Sequence, residues 1–183
     1  MFAVFYGMRR SEILGLKWDA INFDNKTFDI KHTVFMAATT LHKEESTKND
    51  SSNSSMPMPD IIIRMLKKLK AKQAQNKLLQ PNDYIYEGYV FVWDDGRLLS
   101  PGYVSKRFNK ILIKNNLDVI RLHDLRHSSA SYLHYLGFSI KDIQMWLRHG
   151  DIATTMNIYT HLDMSAKRNI ADTLNEKFIA FGS

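Results

Sequence analysis

The chain is 183 residues long, 44% hydrophobic and 24% charged, with a formal net charge of +6 and no cysteine. That is enough chain for one folded core of ordinary globular composition. It excludes a disulfide framework and a zinc–thiolate centre and fits a reducing cytosol, no apolar run approaches the roughly 20 residues of a membrane span, and the positive balance favours a polyanionic partner.

Residues 2–16 place apolar side chains at helical spacing, with Ser11 and Glu12 leading into Ile13, Leu14 and Leu16. The opening residues lack the charged leader of a signal peptide. Phe2, Val4 and Phe5 read as the end of a buried helix, so the chain is expected to be a fragment of a longer protein. Residues 18–23 and 27–35 alternate around the polar segment 24–26, which predicts a hairpin. Residues 43–55 are rich in Ser, Asn and charge and predict a loop. Met56-Pro57-Met58-Pro59 closes it as a short edge strand, because proline cannot serve a central one. Residues 60–79 predict a basic amphipathic helix, with Ile61, Ile62, Met65, Leu66 and Leu69 on one side and Arg64, Lys67, Lys68, Lys70 and Lys72 largely on the other. A buried stretch follows at 89–92 and a turn at 94–97. Ser100-Pro101 starts a helix in the favoured order of cap then proline; it runs to about 115 and carries Lys106, Arg107 and Lys110. The next helix runs from about 123 to a C-capping Gly137. Ser139 caps a shorter one over 140–147. Another begins at Thr154 or Thr155 and holds Tyr159, and the last amphipathic run is 163–178. Trp18, Trp146, Met56, Met58, Met145 and Met156 are expected in the core, and His127 as a buried partner of its own helix. No repeat and no second domain is read. The expected fold is mainly α with a small antiparallel β-sheet (α+β), over a single domain at 1–183.

Chemistry concentrates in Arg9, Lys48, His123, Arg126, His149 and Tyr159. Phosphoryl transfer to a protein hydroxyl without a metal needs cations for the phosphate oxygens, a proton donor and acceptor, and a nucleophile. Arg126 lies three residues after His123, so on a helix both can reach one phosphate. Arg9 supplies a second guanidinium fork, which lysine cannot imitate, and Glu12 stands one turn beyond to hold it. Tyr159 would be the nucleophile. A phenol of pKa about 10 is rarely ionised at neutral pH, a deficit of about 4 kcal/mol that nearby cations must offset. His123 and His127 have the i,i+4 spacing a metal site can use, but no helical His-Glu-x-x-His and no third ligand accompany them. No metal and no cofactor are expected.

The local text around these residues is Gly7-Met8-Arg9-Arg10-Ser11-Glu12, His123-Asp124-Leu125-Arg126-His127, Leu147-Arg148-His149-Gly150-Asp151 and Tyr159-Thr160-His161. It resembles the catalytic domain of the tyrosine recombinases, the phage-integrase family. The resemblance runs from Gly7 to about Leu162. It implies a DNA recombinase or integrase of a mobile element that works through a 3′-phosphotyrosine without metal or ATP. In that frame Lys48, followed by a serine-rich stretch and Met-Pro-Met, is similar to the family's lysine hairpin and is the proton donor to the leaving 5′ hydroxyl. His123 is the base or proton shuttle, and His149 the second imidazole on the scissile phosphate. Glu12, His127 and His161 support the site, and Arg10, Lys106, Arg107 and Arg148 contact DNA. The family often reads Leu-Gly-His where this chain has Leu147-Arg148-His149. The ten-residue step from His149 to Tyr159 resembles integrases from mobile elements of Gram-positive bacteria. The resemblance further implies double-stranded DNA as partner, N-terminal DNA-binding modules missing from this chain, a synaptic tetramer docked through the C-terminal helix, no membrane, and a cytoplasmic, nucleoid-associated location in a bacterium. Two other readings stay open: strand relaxation in the manner of a type IB topoisomerase, and a helical DNA-binding module without catalysis.

Overall fold

The computed structural model describes residues 1–38, 40–45 and 55–148. Its elements in chain order are α1 (Phe2–Phe5), α2 (Arg10–Gly15), a 3-10 turn (Trp18–Ala20), β1 (Ile21–Asn22), β2 (Thr27–Phe28), β3 (His32–Ala37), β4 (Thr40–Glu45), β5 (Met56–Pro57), α3 (Asp60–Leu79), α4 (Pro101–Lys114), α5 (Asp124–Tyr135) and α6 (Ile140–Leu147). This is the mixed architecture expected, mostly helical with small antiparallel sheets. The chain divides into two compact units, Met1–Ser129 and Ala130–Ser183, with the boundary inside α5. None of the helices among the described residues is long and apolar enough to cross a membrane.

In the first unit, the helix expected over 2–16 is broken in two. Gly7 takes a left-handed conformation (φ 58°) and Arg9 an extended one (φ −67°, ψ 150°), so α1 stops before them and α2 starts after. Phe2 and Ala3 of α1 and Leu14 of α2 are buried, so the helical spacing continues through the break, but Val4 and Phe5, expected in a buried helix, are exposed. Phe28 packs edge to face on Phe2 and Tyr6 at 5.4 and 4.9 Å between ring centres, and Phe2 lies tilted against Tyr6 at 5.6 Å. Tyr6 donates its hydroxyl to the Pro57 carbonyl at 2.8 Å, and burial pushes its phenol far above the ordinary range.

The strand expected over 27–35 is also two strands in two sheets. β1, β2 and β5 form one antiparallel sheet in that order, with Ile21 opposite Phe28 and Phe28 opposite Met56. Proline sits on the edge strand, as it must. The turn between β1 and β2 is set by the Asn22 carboxamide oxygen, which accepts from the Asp24 and Asn25 amides. At 29–31 the chain leaves that sheet, and β3 pairs with β4 from His32 opposite Glu45 to Ala37 opposite Thr40. Residues 43–45, expected at the start of a loop, belong instead to β4, and 46–54 lie outside the described residues. Helix α2 lies against β3 so closely that a Cβ on Gly15 would collide with the His32 carbonyl.

Helix α3 has the expected bounds but a rotated face. Ile62, Ile63, Leu66 and Gln73 are buried, while Ile61 is 49% exposed. Gln73 is the polar member of this face and is partnered at both ends of its amide: it accepts from the Trp18 indole N–H at 2.8 Å and donates to the Val90 carbonyl at 2.7 Å. Leu14, Val34 and Tyr89 form a second cluster, covered by Leu41, Val92, Leu98, Leu99 and Val104. Ser100 caps α4 by accepting from the Tyr103 amide, with Pro101 in the first turn, as the sequence predicts.

In the second unit Ala130, Ile143 and Leu147 make a small core with Leu133 and Trp146 against it. Helix α5 ends in paired bonds from Gly137 N–H to the His134 carbonyl and from Phe138 N–H to the Leu133 carbonyl, with Gly137 left-handed (φ 89°). Ser139 and Asp142 cap α6 reciprocally. Two more expectations of burial fail, at Met145 in this unit and at His127 in the first. Met145 is 61% exposed, since it projects from α6 away from the face made by Ile143 and Leu147. His127 is exposed as well, one position past the buried Arg126 on α5.

Candidate active site

The break that separates α1 from α2 creates the first part of the site. Arg9 becomes the residue that caps α2, held from below by Glu12, which is only 7% exposed. The Glu12 carboxylate accepts from the Arg9 backbone N–H at 2.9 Å and from its Nη1 at 2.8 Å. This is the acidic half of a capping box. Arginine, which has donors only, cannot supply the other half, so its guanidinium stays half-exposed, with 51% of the side chain accessible.

Arg126 arrives from the other end of the unit. It is 4% exposed, and its Nη1 donates to the Gly7 carbonyl at 2.6 Å. The Ser129 hydroxyl, also buried, donates to the Val4 carbonyl. One face of α5 is thereby fastened to the segment that carries Arg9. His123 precedes α5 and sits edge-on to His127, with ring centres 5.8 Å apart. Its imidazole pKa is held below the usual value, first by burial, then by His127, Arg126 and Arg9, with Asp124 opposing. Arg9 and Arg126 thus lie near enough to act on the His123 imidazole. A neutral His123 near pH 7 keeps a lone pair with which to accept a proton.

A cleft of about 490 Å³ opens beside them. Its lining includes Arg9, Arg10, Ser105, Asn109, Arg121 and His123, and no carboxylate is among its lining residues. Three guanidiniums around one hollow suit an anion with several oxygens. Arg10 donates to the Ser105 hydroxyl at 2.7 Å and to the Pro101 carbonyl at 3.4 Å, which ties α2 to the start of α4. Lys106 and Arg107 are exposed on α4 and do not line the cleft. Arg148, expected on a DNA-facing surface, is 8% exposed and ends α6 in a left-handed conformation (φ 53°, ψ 48°). Its neighbour at this spot in the resembled motif is glycine, which adopts that conformation freely. Lys48, His149, Tyr159 and His161, with the final helix, lie outside the described residues.

Sequence reasoning missed Arg121. Its fork grips Asp124 with Nη2 to Oδ1 at 2.8 Å and Nε to both oxygens at 3.1 and 3.2 Å. The available signal was the spacing of three residues between an arginine and an aspartate at a helix start.

Residues 1–166 match the pattern of the phage integrase family. The chain is 31% identical over 184 residues to the tyrosine recombinase XerC-like protein of Caldanaerobacter subterraneus subsp. tengcongensis, an overlap of 94% of this chain and 47% of that one. It is 28% identical over 185 residues to the ICEBs1 integrase of Bacillus subtilis, over 96% and 49% of the two chains. The chain thus spans about half the length of the curated relatives it matches. Among solved structures, the Tn1549 transposon integrase in complex with transposon right end DNA superposes with a TM-score of 0.75 at 20% identity, over 95% of this chain and 57% of that one. XerA recombinase does so at 0.62 and 22%, over 94% and 54%. These likenesses place the architecture among the catalytic domains of tyrosine recombinases.

Proposed function

The chain belongs to the phage integrase family, and from that premise we propose that it is the catalytic domain of a tyrosine-type, site-specific DNA recombinase of a mobile element. In this reading the Tyr159 phenol oxygen attacks a backbone phosphorus of duplex DNA. The bond from phosphorus to O5′ breaks, a 3′-phosphotyrosine forms, and the 5′ hydroxyl of another strand later reverses the step. Ester energy is conserved, so neither ATP nor metal is required. Arg9 and Arg126 pair with the non-bridging oxygens, where charge grows as the phosphorus becomes pentacoordinate. His123 takes the phenol proton. Lys48 protonates the leaving oxygen, whose parent pKa is comparable to water's, about 15.7, and His149 donates a hydrogen bond to the phosphate. Glu12 orients Arg9, and His127 and His161 buttress the imidazole and the nucleophile. Arg10, Lys106 and Arg107 bind flanking phosphates, while Arg148 acts through packing beside His149. The whole chain serves as one catalytic domain of a longer protein whose N-terminal modules complete the grip on DNA. The final helix docks on a neighbouring protomer in a synaptic tetramer, and the protein works on the bacterial nucleoid.

The observation that carries this reading is the convergence of Arg9, His123 and Arg126 beside a cationic cleft. A duplex nicked close to the cleavage site tests it, because loss of a short fragment prevents religation and traps the adduct. A covalent protein–DNA species is expected that persists in EDTA and vanishes in Tyr159→Phe. An adduct that survives this substitution, or stoichiometric binding without any adduct, would defeat the proposal.

A further inference from the structure

We infer that Arg121 is a positioning residue for His123 and acts through Asp124, as a clasp closed around the imidazole. The inference rests on the reading of His123 as proton acceptor. Besides the three side-chain bonds already given, the Arg121 backbone N–H donates to Asp124 Oδ2 at 3.0 Å. Main chain and side chains together close a small ring that holds only Leu122 and His123 between its ends. Every donor of the clasp converges on one carboxylate, and that carboxylate stands in the first turn of α5, where the helix dipole favours a negative charge. The Arg121 guanidinium is 82% exposed and lines the cleft. As a stability device such an exposed pair contributes little. Its geometric effect is larger: the fork fixes the turn from which the imidazole projects.

The clasp also sets the charge that His123 meets. Among the described residues, His127, Arg126 and Arg9 press the imidazole toward its neutral form, and Asp124 is the one group that opposes them. Arg121 holds the Asp124 carboxyl below its ordinary range and keeps it ionised. Paired with the guanidinium, that anion has much of its field cancelled. Unpaired, it would favour the protonated imidazole, which cannot accept a proton from the phenol.

The signs follow directly. In Arg121→Ala the His123 titration moves up, because the anion is uncovered. In Asp124→Asn it moves down, because the anion is gone while an acceptor for the Arg121 amide remains. Mere loosening of the turn would move both variants the same way. The test is NMR titration of the His123 ring protons in the 183-residue chain and its variants, alongside the pH profile of adduct formation on the nicked duplex. Arg121→Ala is expected to slow adduct formation at neutral pH about tenfold, a fraction of what a general base contributes, and to move the acid limb of the profile upward. Arg121→Lys should recover part of both. Unmoved titrations, or shifts of one sign in both variants, overturn the clasp even if the wild-type chain forms adduct normally. Opposite shifts with no Tyr159-dependent adduct would leave the clasp standing and remove the catalytic reading of the site.

Discussion

Arg126 and Arg9 carry the same charge but are built to different specifications. Arg126 is buried and bonded to a main-chain carbonyl, so it holds the fold as well as the proposed phosphate. Arg9 is half-exposed and braced by Glu12. Lysine at either position retains the cation and loses the fork. Arg126→Lys is expected to lower adduct formation by about 10²–10³, in the range of losing an oxyanion donor, and to destabilise the protein by ~1–3 kcal/mol as the Gly7 carbonyl loses its partner. Arg9→Lys should show a comparable kinetic loss with a nearly unchanged melting temperature. Adduct assays and thermal melts on both variants check the contrast; equal stability losses would contradict it. Both arginines and His123 were legible because each sits in a short motif of fixed order. Arg121 was not, because its one textual signal, an aspartate three residues on, is shared by ordinary surface arginines. Only the backbone turn at 122–123 selects Asp124 as its partner.

At the scale of elements, the helix–strand contact at Gly15 is the least forgiving. The α2 backbone there approaches the His32 carbonyl more closely than any side chain permits. Gly15→Ala must displace α2 or β3 and should cost ~1–3 kcal/mol, the usual penalty of overpacking, measured as a lowered midpoint in urea. An unchanged midpoint would mean that the two elements separate freely. Arg9 heads α2, so the same displacement should weaken the site. The sequence announced α3, α4 and α6 well, since caps and 3.6-residue spacing are local properties. It hid the break between α1 and α2, because apolar spacing runs unbroken through Gly7. It also hid the division of β2 from β3, since alternation reports that a strand has two faces and says nothing of which sheet receives it. The face of α3 was misjudged at Ile61 because Gln73 takes a buried place. A glutamine reads as surface until its partners Trp18 and Val90 are seen.

Across the whole molecule the net charge of +6 bears on the proposed grip on DNA. If the scissile phosphate shared by Arg9 and Arg126 and three flanking phosphates held by Arg10, Lys106 and Arg107 are neutralised, affinity for duplex DNA should fall about a hundredfold between 50 and 200 mM salt. Each of Lys106→Ala and Arg107→Ala should flatten the logarithmic slope by about one unit. Fluorescence anisotropy on duplexes of unrelated sequence reads both, and a slope near zero would exclude a phosphate-dominated grip. One further consequence comes from the bonds between Arg126 and Gly7 and between Ser129 and Val4. They join stretches of chain that the ribosome makes far apart in time. The motif around Arg9 meets these partners only after the stretch reaching Ser129 has been synthesised and has folded back, so a nascent chain short of that stretch would display the motif without the arrangement proposed for the site.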